Sequence, residues 1–303
     1  MENYIFHLTI MIGIYSILAY SMNLVTGYGG LLVFCHAAFY GIGAYAYALL
    51  QIGGGASRFS DELLFTAAVP FGVAILGAIL VAGLCAFVIG RISLRFRGDF
   101  FVFATLGFQM IVFVVLYNWT ELSRGAFGIY GIPRPELLGW KIKELWQYVI
   151  LVGLANALVL PLLFVLYRSP FGLSLKALRD NERAAESLGI SAQHQYLSAF
   201  VIAAGCAGLA GALFASYVTY IDPTSFQLKE SIFIMSLLLL GGSGNRLGPV
   251  IGVVVMTLLP EALRFIGLPD SIAPNMREII YGLILILLMY KRPQGIAGGY
   301  ALR

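Results

Sequence analysis

The chain has 303 residues, of which 60% are hydrophobic and 11% charged, with 19 basic and 15 acidic side chains and a net charge of +4. Soluble domains carry about 25% charged residues, and the mean hydropathy of +0.88 points the same way. The composition excludes a soluble enzyme, a disordered chain and a nucleic-acid binder, whose phosphate-facing surface would need far denser positive charge. It describes an integral membrane protein.

Residues 3–57, 63–90, 100–120, 145–167 and 187–221 contain no Asp, Glu, Lys or Arg. A spanning helix needs about 20 apolar residues, so the first run holds two spans and each other run one. The alternating ten-residue segments of an outer-membrane barrel are missing. The expected fold is all-α, a polytopic transmembrane bundle forming one domain over 1–303. The amino terminus, Met1-Glu2-Asn3, has no basic region of the kind a cleavable signal peptide carries. Cys35, Cys85 and Cys206 lie in apolar runs and read as small buried hydrophobes.

Towards the carboxyl end, residues 231–260 carry one charge, Arg246, within GGSGNRLGP (Gly241 to Pro249). As one helix they would be about 45 Å long, and the Gly-Gly-Ser-Gly-Asn run breaks helices. Basic clusters fall at Arg91, Arg95 and Arg97, at Arg168, Lys176, Arg179 and Arg183, and at Lys291 and Arg292. If all face the cytoplasm, an even number of spans separates the last two clusters. The result is nine spans, at 4–25, 30–50, 64–90, 99–118, 147–167, 197–220, 230–244, 248–266 and 277–290. The amino terminus is then outside and the carboxyl terminus inside, with 119–146 an external loop.

Within the spans, Asn23, His36, Thr105, Gln109 and Asn156 stand out as polar. Unpaired polar groups in hydrocarbon are costly, so these face the interior or a water-filled path; Asn23, His36, Thr105 and Gln109 are the candidates for lining it. For His36 the alternatives are a proton relay, a substrate contact or a neutral imidazole bonded to a neighbouring carbonyl. Between Val201 and Tyr217, Ala204, Gly208 and Ala212 recur every fourth residue and Gly205, Gly208 and Gly211 every third, a spacing that lets helices approach closely. Packing within the chain is the expectation for Ala204, Gly208, Gly211 and Ala212. No metal-ligand cluster, catalytic dyad or phosphate loop of the G-x-x-x-x-G-K-[ST] type is visible, so any energy comes from a partner or an ion gradient.

Residues 168–196 carry the strongest signal. Pro170 and Gly172 end the preceding span, Ser174 can cap a helix running to Leu188, and Gly189 sits where a helix terminates. Leu175, Leu178 and Ala185 make an apolar side; Lys176, Arg179, Asp180, Glu182, Arg183 and Glu186 make a polar surface. Such a segment is a headgroup-level surface helix or a docking helix for a cytoplasmic partner.

The string GLSLKALRDNERAAESLGI (Gly172 to Ile190), running into AFVIAAGCAGLAGAL (Ala199 to Leu213), resembles the permease subunits of ABC importers for branched-chain amino acids, of the M type. The resemblance covers nearly the whole chain: the Ser21 to Leu50 hairpin, RGDFFVFATLGF (Arg97 to Phe108), GAFGIYGIPRP (Gly125 to Pro135), DPTSFQLKESI, GGSGNRLGPVIG and the terminal RPQGIAG follow in family order. It implies pairing with a second, non-identical permease, two cytoplasmic ATPase subunits that carry the ATP and Mg, and a periplasmic binding protein. No cofactor or metal is implied on this chain, and no catalytic residue. The resemblance makes Gly172 to Gly189 the coupling helix, with Gly172, Lys176, Ala177, Arg179, Asp180, Asn181, Ala184, Ala185 and Gly189 as its ATPase-coupling residues. Asn245-Arg246 departs from the small or hydroxyl residues usual in that turn. The expected cargo is a branched-chain or other hydrophobic amino acid. A urea or amide permease of the same build and an ATP-independent secondary carrier are the alternatives.

Overall fold

The computed structural model describes residues 2–52, 69–137, 140–264, 280, 282, 283, 286 and 295–297. It is helical in chain order: α1 Glu2–Asn23, α2 His36–Ile52, α3 Phe71–Ser93, α4 Asp99–Asn118, a one-turn α5 Thr120–Ser123, α6 Leu145–Arg168, α7 Pro170–Asp180, α8 Glu182–Ser187, α9 Ala192–Val218, α10 Leu228–Gly241 and α11 Gly248–Arg264. Five helical stretches among the described residues are long and apolar enough to cross a membrane: Asn3–Tyr28, Phe71–Ser93, Asp99–Asn118, Leu145–Arg168 and Ala192–Val218. The span expected at 277–290 lies outside the described residues apart from isolated positions.

α9 is the centre of the bundle, packed against α2 on one side and α3 on another. Small residues make this possible. A Cβ added at Gly208 would lie 2.8 Å from the Ala78 carbonyl of α3, and one at Gly211 would lie 2.7 Å from the Ala44 amide of α2. Ala204, Gly208, Gly211 and Ala212 are all buried inside the chain. α6 lies along α1, joined by Asn156, whose amide donates to the Gly13 carbonyl at 3.0 Å. The outer faces of α3, α4 and α6 carry Leu80, Phe103, Ile111, Leu154 and Leu158, all exposed, as suits side chains that meet lipid.

Two elements differ from the sequence reading. The span expected over 30–50 is helical only from His36. α1 ends in a wide turn, Leu24–Tyr28, closed by the Gly29 amide on the Leu24 carbonyl (3.2 Å). Gly30 follows with φ +72°, a left-handed conformation that glycine adopts without strain, and the chain stays non-helical to Cys35. The second difference is α7, which starts at Pro170 rather than near Ser174. A proline at the first helical position loses nothing, because that N–H has no helical partner; Ser174 instead bonds back to the Pro170 carbonyl (2.8 Å).

The expected loop 119–146 is locally folded. Strand β1 (Ile129–Tyr130) pairs antiparallel with β4 (Tyr220–Ile221), and β2 (Glu136–Leu137) with β3 (Trp140–Lys141). This knot and α7–α8 lie at opposite ends of α6. Gly107 has open space where its Cβ would be, which provides a control for the α9 packing. Gly208→Leu is expected to cost about 1–3 kcal/mol or more through overpacking and to lower both the yield and the melting temperature of monodisperse protein in detergent. Gly107→Leu should leave both near wild type. Equal behaviour of the two variants would contradict the packing described.

Candidate coupling interface and buried polar core

α7 and α8 form a bent pair. Gly172, Leu175 and Leu178 are the buried positions of α7, three residues apart, so one apolar edge faces the bundle. Asn181 is extended (φ −157°, ψ 100°) and breaks the helix; its side chain then accepts the Ala184 amide at 3.1 Å and caps α8. Ala185 is buried under α8, Ala184 is exposed and Ala177 half-buried. Gly189 (φ +85°) closes α8, its amide on the Glu186 carbonyl at 2.9 Å and the Ile190 amide on the Ala185 carbonyl at 3.2 Å.

Arg179 is not part of the polar surface expected of it. Its side chain is only 9% exposed, against 61% for Asp180. Nη1 donates to the carbonyl of Gly27 at 2.7 Å, while Nε and Nη2 donate to one oxygen of Asp180, each at 3.1 Å. Gly27 belongs to the wide turn that ends α1, and the last carbonyls of a helix have no amide of their own helix to accept. Gly30 accommodates the arginine stem, since a Cβ there would lie 2.5 Å from Arg179 Cγ.

Lys176, one turn earlier, places Nζ 4.7 Å from the ring centre of Tyr28. Partial burial, with Arg179 and Arg246 close by, pulls its ammonium below the usual lysine range. Tyr28 stacks on Tyr167 of α6 at 4.3 Å and 13°, and Tyr167 leans on Tyr20 of α1 at 5.1 Å and donates its hydroxyl to the Tyr20 carbonyl. Arg246 lies 5.2 Å from the Phe164 ring.

The third strand of this contact is Asn23. Its Oδ1 accepts the Gly244 amide and its Nδ2 donates to the Asn245 carbonyl, both at 2.9 Å. The 242–247 turn is thereby fastened to the base of α1. Gly244, at φ +73°, approaches both Arg179 and Gly27 closely. Asn245, the departure from the family pattern, donates to the Ala297 carbonyl and receives the Arg246 amide at 2.5 Å. The Ile296 and Ala297 amides bond the Leu240 and Gly241 carbonyls at 2.9 and 3.0 Å.

Deeper in the bundle, His36, Thr105 and Gln109 surround the start of α2. The first amides of a helix have no internal partner, and here side chains from distant helices supply them. Gln109 Oε1 accepts the Ala38 amide (2.9 Å) and the Ser231 hydroxyl (3.1 Å), while its Nε2 donates to the Phe226 carbonyl (2.7 Å). Ser231 accepts the Ala37 amide at 3.0 Å and Thr105 the Phe34 amide at 3.3 Å. His36 Nε2 lies 3.1 Å from Ser21 Oγ, which donates to the Leu18 carbonyl. All four candidates for the path are buried in this conformation.

The sequence reading did not single out Tyr28, Tyr167, Ser21 or Ser231, whose roles come from partners more than a hundred residues away or from a neighbouring helix. The Ser231 position, at the start of a predicted span beside a glutamate, was the one local signal. On the outer side of α7–α8, Leu188 is 81% exposed and Leu173 60%. Beside them lies a cleft of about 390 Å³ lined by Arg95, Arg97, Glu182, Glu186 and Gln193, across which Arg97 and Glu182 pair at 3.1 Å.

Comparison with known proteins gives this geometry its context. The family model for the permease component of branched-chain amino acid transport systems matches residues 4–289. The chain is 34% identical over 306 residues to the high-affinity branched-chain amino acid transport system permease protein LivM of Escherichia coli (strain K12), covering 93% of this chain and 67% of the relative. To the probable branched-chain amino acid transport permease protein LivM of Methanocaldococcus jannaschii it is 26% identical over 317 residues, covering 94% and 90%. To the autoinducer 2 import system permease protein LsrC of Salmonella typhimurium it is 28% identical over 197 residues, covering 61% and 52%. No solved structure matches it. With the helical bundle and a family match over nearly its whole length, the chain belongs to the permease components of branched-chain amino acid transport systems.

Proposed function

We propose that this permease is one half of the membrane pathway of an ATP-driven importer that brings branched-chain or other hydrophobic amino acids into the cytoplasm by alternating access. A second, non-identical permease completes the path, two ATPase subunits hold ATP and Mg on the cytoplasmic side, and a periplasmic binding protein delivers the cargo. The chain crosses the bacterial inner membrane nine times, with its amino terminus outside, its carboxyl terminus inside and the folded 119–146 segment facing the binding protein. This chain hydrolyses nothing itself.

One observation carries the reading: α7 is keyed into the bundle by Arg179 on the Gly27 carbonyl. A surface helix resting at the headgroups needs no such key. A helix that must pass force to the spans does, and this one reaches the ends of α1, α6 and the 242–247 turn together. Gly172, Ala177, Asn181, Ala184, Ala185 and Gly189 shape the bent pair, Arg179 and Lys176 transmit inward, and Asp180 with Leu173 and Leu188 faces the ATPase. The polar seam of Asn23, His36, Thr105 and Gln109 borders the path from within, and movement of α1 and α10 against α2 opens it.

Two substitutions separate docking from transmission. Leu188→Asp should lose co-purification of the ATPase subunits while the permease pair stays assembled. Arg179→Gln removes a charged hydrogen bond of about 1.5–3 kcal/mol; it should keep the ATPases bound and hydrolysing, yet reduce ATP-driven uptake in proteoliposomes at least tenfold. Unchanged uptake in Arg179→Gln would contradict the transmission role, and wild-type ATPase retention in Leu188→Asp would contradict the docking surface.

A further inference from the structure

α10 begins inside the bundle, and its first turn carries Glu230. Its depth follows from its neighbours. Ser231 is bonded to Gln109, which stands about 15 Å from the first residue of α4, and Glu230 itself meets Tyr15, in the second half of α1. The Tyr15 hydroxyl donates to Glu230 Oε1 at 2.8 Å. A carboxylate offers about four acceptor positions, and this is the one hydrogen bond the side chain receives among the described residues. No Lys or Arg there forms an ion pair with it. The residue as a whole is half-buried, while its carboxyl group is enclosed by the surrounding helices.

In the first turn of α10 the helix dipole favours the negative charge, but among the described residues the side chain accepts none of that turn's free amides and reaches across to α1 instead. The remaining polar side chains at this depth, Gln109 and Ser231, are used on backbone amides and carbonyls. An ionisable group held at mid-depth in a membrane bundle without a cationic partner marks a route for a charged species.

Resting on the transport function proposed above, we infer that Glu230, oriented by Tyr15, is a cargo-contact site that binds the α-ammonium of the amino acid as it passes through the bundle. Branched-chain amino acids differ from one another in their side chains and share the ammonium. A carboxylate that reads the shared group passes all of them, and leaves choice among them to other contacts. A weak, single-carboxylate site also lets the cargo leave again, as passage requires.

The test uses the complete importer in proteoliposomes, with wild-type ATP-driven leucine uptake as the control. Absence of that uptake overturns the functional reading itself, separately from the inference. In Glu230→Gln, which keeps the shape and the acceptor for Tyr15, uptake should fall at least tenfold while subunit assembly and basal ATP hydrolysis stay within twofold of wild type. Glu230→Asp should retain measurable uptake. Wild-type uptake in Glu230→Gln overturns the inference. An independent readout keeps Glu230 in place and labels a thiol one turn away, Phe233→Cys, after Cys35, Cys85 and Cys206 are replaced by alanine. Leucine should slow labelling at least threefold, and the effect should vanish when Glu230→Gln is added. Labelling that leucine does not slow overturns the inference; that result together with loss of assembly in Glu230→Gln would assign the carboxylate to a basic residue of the second permease.

Discussion

The carbonyl of Gly27 is the point on which this architecture turns. It lies in the wide turn at the end of α1 and accepts the guanidinium of Arg179 from α7, a few ångströms from where Asn23 fastens the 242–247 turn. Breaking a buried charged hydrogen bond strands a charge and a carbonyl together, which makes such a contact costly to lose. Three segments far apart in sequence are thereby held as one unit: the base of α1, the α7–α8 pair and the link between α10 and α11. The Lys176–Tyr28–Tyr167–Tyr20 stack extends the same unit into α6.

A second constraint acts one layer deeper. Backbone groups within a membrane must be satisfied by the protein, yet both α2 and α10 begin inside the bundle. Gln109 answers for several at once, bonding the Ala38 amide, the Phe226 carbonyl and the Ser231 hydroxyl. Helices that start in the interior present their amide ends there, so polar side chains gather at that level. The bundle therefore gathers bonded polar side chains at one interior level, beside Glu230, whose carboxylate accepts one hydrogen bond among the described residues. The closely packed glycine face of α9 is a contrasting region, where small residues bring its backbone against α2 and α3.

Much of this was legible in the sequence, for identifiable reasons. Charge-free runs marked α4 and α6 to within two residues and located α3 and α9, whose starts at Phe71 and Ala192 differ from the expected 64 and 197, because hydrophobic length is a local property. The split of 231–260 followed from Gly241-Gly242 and the placement of basic residues, and the structure breaks there, with Gly242 at φ +114°. The start of α2 was not legible, since the apolar run 3–57 continues through 29–35 without any drop in hydropathy; the break is made by the wide turn and Gly30, and kept by capping from Thr105, Gln109 and Ser231. Arg179 was read as a surface charge from its helical position, because the acceptor that turns it inward lies 152 residues away. Polarity within spans did find Asn23, His36, Thr105 and Gln109, but it could not give their partners. Glu230 escaped notice because it stands at the edge of its apolar run, where a charge looks like a helix end rather than an interior group.

The most direct test of the unit formed around Gly27 is hydrogen–deuterium exchange of the assembled transporter with and without trapped nucleotide. The amides of 24–30 and 242–247 should change their exchange in step with those of α7, while those of α9 facing α2 stay protected throughout. If α7 responds to nucleotide and the 24–30 and 242–247 segments do not, the α7–α8 pair does not move as one unit with the end of α1 and the 242–247 turn.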